Sequence, residues 1–155
     1  MTTITLGDIR AKRPCAPGWA KLTETLGTTV LTTELTIGDI LIANGLNDAL
    51  WALRCLPRRE AVAAVMPAVK RASVHTTDQR VHDCIAAVDR WIAGDDSVDL
   101  KTAAAAAWAA DAAWAAAWAD AAAAEEATWA AMRDMQASDL LAMFPPIRLK
   151  AEAAA

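Results

Sequence analysis

From Val98 to Gln136 the chain contains neither glycine nor proline, and alanine is its commonest residue there. Alanine is the best helix former, so nothing local stops a helix for about 39 residues, or roughly 58 Å. A compact chain of 155 residues has a radius of gyration of about 15 Å. A straight helix of that length outgrows the body that carries it. It must bend, break, or be covered by something else.

Tryptophan marks one side of this stretch. At about 100° per residue, with Trp108 at zero, Trp114 falls near 240°, Trp118 near 280° and Trp129 near 300°. Met132, Asp111 and Glu125 lie in the same arc. Carboxylates among indoles describe a face that is not wholly dry. They suit indole N–H groups, or arginines such as Arg54, Arg58 and Arg59. Two environments fit the stripe: the chain's own core against residues 48–74, or another chain. Large aromatics are enriched at interface hot spots, so Trp108, Asp111, Trp114, Trp118, Glu125, Trp129 and Met132 are the expected partner-binding set.

Charge is uneven. Residues 1–94 carry eleven basic and nine acidic side chains, whereas residues 95–155 carry four and ten, which gives −4 overall. A mildly acidic chain lacks the basic face that neutralises phosphates, which argues against general nucleic-acid binding. Asp111 and Asp120 argue against a membrane span over Ala103–Ala124, since each costs about 2.5–3.5 kcal/mol near a bilayer centre. Cys15, Cys55 and Cys84 are odd in number and far apart, which is no disulfide framework. Met1–Ile9 has no charged start followed by an apolar run, so no signal peptide is evident. A cytoplasmic location is expected.

Ahead of the alanine stretch the pattern is helical with turn signals. The first sixteen residues read as a mixed arm. Pro17 suits the first turn of a helix through Leu26 that Gly27 closes. Residues 28–36 read as extended and could pair with residues 3–6. Thr36 is a candidate N-cap, and Asn44-Gly45 a helix end. Asn47 is a candidate cap for the next helix, with Leu46 and Trp51 stapled across it. Pro57 precedes a helix over 58–74 that contains Pro67, an expected kink. Thr76 or Thr77 caps a helix over 78–93 that Gly94 ends, and Ser97 caps the long one. Residues 1–96 therefore read as an N-terminal arm and helical core. Residues 97–155 read as the long Ala/Trp-rich helix, a short terminal helix and a tail, within one folded unit. The expected fold is all-α, with five or six helices.

Catalytic chemistry is hard to find. Ser73, Ser97 and Ser138 sit in no nucleophile-elbow pattern, and no glycine-rich phosphate loop occurs. His75 and His82, with Asp83 and Cys84, match no strong zinc spacing. No enzyme, metal or cofactor is expected. Arg54, Arg58, Arg59, Lys70 and Arg71 flank the 58–74 helix, and suit either a solvated face or an anionic ligand.

The segment Ile40–Leu56, "ILIANGLNDALWALRCL", resembles an alanine-rich immunity-protein family of phages, prophages and bacteria. Asp8–Leu22 is similar to the start of that family, and Arg80–Ala110 to its last helix and alanine-rich tail. Pro67 departs from the family pattern. The resemblance implies a small helical inhibitor that occludes a partner protein, either a toxin or a bacterial defence complex such as a CRISPR effector. A homo-oligomer, as a dimer, is expected through the long helix. Two other functions suit the same residues. One is sequestration of an anionic, nucleotide-like ligand by the basic cluster; the other is a structural role in phage or prophage assembly.

Overall fold

One four-residue pattern, Thr-aliphatic-Gly-Asp, recurs at the start of two helices: Thr5-Leu6-Gly7-Asp8 and Thr36-Ile37-Gly38-Asp39. In a computed structural model, which describes residues 2–74, 77–99, 101 and 125–149 (125–129 as backbone only), each is a capping box. The threonine hydroxyl accepts the aspartate N–H, and the aspartate carboxylate accepts the threonine N–H. Two of the donors that a helix start leaves without partners are thereby satisfied. The first box opens α1 (Leu6–Ala11), the second α3 (Ile37–Asn44). The threonines lie at the ends of two short strands, β1 (Ile4–Thr5) and β2 (Glu34–Leu35). These pair antiparallel, Ile4 opposite Leu35 and Thr5 opposite Glu34.

The described residues are mostly helical, seven α-helices with this one two-stranded pair. Helix α2 (Ala16–Leu26) ends at Gly27, whose φ of 65° places it in the left-handed region. Helix α4 (Leu46–Ala52) continues into a 3-10 turn over Leu53–Cys55. Helix α5 (Arg58–Ser73) runs through Pro67, α6 spans Gln79–Ile92, and α7 spans Glu125–Met143.

Several boundaries differ from expectation. The N-terminal arm is a strand and a capped helix, because the Thr5–Asp8 box supplies a start that composition hid. Asn47 is not the cap of α4. Gly45, at φ 93°, turns the chain so tightly that Leu46 is already helical, and no side chain caps this helix. Asp78, rather than Thr76 or Thr77, caps α6, accepting from the Arg80 N–H at 2.9 Å. Ser97 lies in a turn and donates to Asp95; the long helix expected to follow it lies, over 102–124, outside the described residues. Helix α7 does not stop at Gln136 to begin a short terminal helix. It continues to Met143, because nothing before Pro145-Pro146 breaks it.

The chain divides into two compact units, Met1–Ala64 with Met135–Ala155, and Val65–Asp134. In the first, helix α3 packs against α2 and α4. Its buried side chains include Leu6, Ile9, Leu22, Leu35, Ile37, Ile40, Leu53 and Leu56, and the returning chain adds Leu140 and Phe144. Each fully buried aliphatic side chain contributes about 1.5–3 kcal/mol. Asn44 ties these helices by polar bonds, its amide donating to the Gly18 carbonyl at 2.8 Å and to Asp48 Oδ2 at 2.6 Å. In the second unit Met66 is buried, whereas α6 buries none of its residues fully. Lys70 and Asp89 join α5 and α6 by an exposed ion pair of 2.8 Å, the kind worth little in water.

Candidate functional site

Of the expected partner-binding set, Trp108, Asp111, Trp114 and Trp118 lie outside the described residues. Glu125 and Trp129 are described as backbone in the first turns of α7. Met132 is half-buried on the same helix. The remaining tryptophans, Trp19, Trp51 and Trp91, are all half-buried. Among the described residues, the buried apolar core of the first unit contains no tryptophan; Phe144 is its one aromatic.

The five expected anion-binding cations divide between elements. Arg54 belongs to the 3-10 turn. Its guanidinium lies 4.5 Å from the centre of the Trp51 ring, and its Nε donates to the Trp51 carbonyl at 2.9 Å. Arg10 lies over Trp19 in the same manner, at 5.2 Å. Each such stack is worth about 0.5–1 kcal/mol at an exposed site. Arg58 and Arg59 stand in the first turn of α5, Lys70 and Arg71 in its last. Lys70 is engaged by Asp89. Lys70 and Arg71 also complement the negative end of the helix dipole.

Burial pushes the Cys55 thiol up, with the Lys12 and Arg54 charges opposing and Asp8 adding to the rise. Burial raises Cys84 as well. A raised thiol is a poor nucleophile. Among the described residues no group of three His, Cys, Asp or Glu side chains is placed to hold a metal ion. Nor is any helix among them long and apolar enough to cross a membrane.

The densest polar arrangement was not among the expected sites. Asp39, wholly buried, receives bonds from its own capping box and from residues 147–149. Its Oδ2 accepts from Thr36 N–H at 2.9 Å, and its Oδ1 from Arg148 N–H at 2.8 Å and Leu149 N–H at 2.9 Å. The Ile147 N–H reaches both oxygens, at 3.2 and 3.3 Å. The Thr36 hydroxyl lies between Asp39 Oδ2 (3.2 Å) and the Pro145 carbonyl (3.1 Å), and its single proton serves one at a time. The Arg148 guanidinium donates to the Glu34 carbonyl. Burial opposes ionisation of Asp39. The N–H groups of Thr36, Leu149, Arg148 and Ile147 outweigh it and hold the carboxyl below its ordinary value. Gly38 is required here by space: a Cβ on it would stand 2.1 Å from the Phe144 carbonyl oxygen. The repeated T-[LI]-G-D-I of residues 5–9 and 36–40 marks both boxes in the sequence but not the segment seated on the second.

No family model, curated protein or solved structure matches the chain.

Proposed function

We propose that the protein is a non-enzymatic binding protein of immunity or anti-defence type, which occludes a partner protein in the bacterial cytoplasm and does so through its Ala/Trp-rich segment. The observation that carries this reading is the composition of the core. The first unit closes on aliphatic side chains and Phe144, with no tryptophan buried among its described residues. A chain with seven tryptophans thus holds large aromatic area beyond what that core uses, and such side chains anchor interfaces. The segment that bears four of them belongs to a stretch, Val65–Asp134, inserted between the two parts of the first unit. An insertion can present a binding surface without contributing to the fold that carries it.

The test is recovery of a partner. Tagged protein incubated with bacterial host lysate retains one protein in stoichiometric amount, and Trp114→Ala with Trp118→Ala releases it while the melting temperature stays within a few degrees. Failure to recover any stoichiometric protein, or a collapse of folding in that variant, removes the reading. Self-association through the same segment belongs to the proposal. Light scattering of the wild type at high concentration then gives the mass of a dimer, and a strict monomer excludes it.

A further inference from the structure

The bonds to Asp39 are made by backbone. Three successive N–H groups, of Ile147, Arg148 and Leu149, converge on one buried carboxylate. Ile147 remains 47% exposed and Arg148 is also exposed. The Ile147 side chain contributes little to the seat, and the Arg148 side chain only its bond to the Glu34 carbonyl. Phe144, 4% exposed, is the apolar anchor at the other end. Pro145 and Pro146 carry no N–H, so Ile147 is the first residue after the anchor that can donate, which allows a single register. Glu34 and Thr36 supply the remaining polar contacts, to the Arg148 side chain and the Pro145 carbonyl.

The first capping box provides an internal comparison. Thr5 and Asp8 make the same reciprocal bonds, at 2.8 and 3.1 Å, on an exposed surface and with no such segment seated on the carboxylate in the contacts of either residue. The first box does carry chain on its backbone, since the Leu6 and Gly7 N–H groups donate to the Thr33 and Leu31 carbonyls at 3.0 and 2.8 Å, but it stands with no segment on its carboxylate. What the second box has in addition is a bound extended segment.

We propose that Glu34, Thr36, Gly38 and Asp39 form a peptide-binding cradle that holds the Phe144–Leu149 segment as a detachable ligand. The ligand class is an extended peptide with an apolar anchor, two residues without N–H groups, and three consecutive free N–H groups. Release of this strap frees the far end of α7 while α3 and its box persist.

Amide hydrogen exchange of the full chain across low denaturant concentrations tests the proposal. In the wild type, Arg148 and Leu149 amides are protected but exchange by local opening, nearly independent of denaturant, whereas Ile40 and Leu41 exchange by global unfolding. Gly38→Ala speeds exchange at 147–149 by roughly tenfold or more, still nearly independent of denaturant, whereas Ile40 and Leu41, whose opening includes strap release, speed by that factor at most and keep their steep denaturant dependence. If that variant fails to fold, Ile147→Pro removes one donor at an exposed position and gives the same pattern. A labelled peptide of residues 144–149 then binds saturably to the Ile147→Pro chain, and not once Asp39→Asn is added. The proposal is overturned by strap amides that share the steep denaturant dependence of the core, by unprotected strap amides in the wild type, by variants that leave strap exchange unchanged, or by absent peptide binding.

Discussion

The Arg148 N–H donates to Asp39 Oδ1 across 2.8 Å, joining residues 109 apart in sequence. Around this bond a buried carboxylate exchanges water for main-chain donors. A charge taken out of water is tolerated only when its hydrogen-bonding capacity is filled.

Asp39→Ala leaves those donors without an acceptor. We expect a loss of about 3 kcal/mol, read as a fall in the urea midpoint. Asp8→Ala, in the exposed box, costs about 0.5–1 kcal/mol. Equal losses in the two variants would contradict the different roles assigned to the boxes.

Acid weakens the fold through the same groups. Asp39 is held low by backbone N–H groups acting against its burial. Asp8 is held low chiefly by the Thr5 hydroxyl and then its N–H. A carboxyl depressed in the folded state contributes stability that is complete above its unfolded value, about 3.9. It loses that contribution as pH falls through the lower folded value. Urea midpoints should therefore decline below about pH 4, and decline less steeply in Asp39→Asn. An unchanged slope in that variant excludes Asp39 as a contributor.

The returning helix is part of the first core. Leu140 is fully buried, whereas Met135, on the same helix, is 42% exposed. Leu140→Ala should cost about 2–5 kcal/mol and Met135→Ala within about 0.5 kcal/mol, measured by denaturant unfolding. A mild Leu140→Ala would mean that this helix end does not complete the core.

Alkylation should follow exposure. Cys15 is exposed, whereas Cys55 and Cys84 are half-buried and raised by burial. Limiting iodoacetamide at neutral pH should label Cys15 first, as read by peptide mass mapping. Preferential labelling of Cys55 would show that the turn at Leu53–Cys55 opens readily.

Helix punctuation was legible where the chemistry is local. Pro17, Gly27, Thr36 and Gly45 act on their own backbone or on N–H groups within a turn, and the structure places them at helix ends as read. Asn47 misled because a good capping side chain was outcompeted by the turn that Gly45 makes two residues earlier. The Arg54–Trp51 stack joins positions three apart, but a cation–π pair follows no fixed spacing, so the sequence does not mark it.

By itself the sequence determined that this chain is mostly helical, where α2 and α3 begin and end, and that two short extended segments could pair. Only the tertiary structure decided that residues 144–149 close upon Asp39. The reason is physical. Caps and turns are written in side-chain types a few residues apart, whereas a carboxylate that collects main-chain N–H groups from the far end of the chain reads no side chain there, and so leaves no pattern to find.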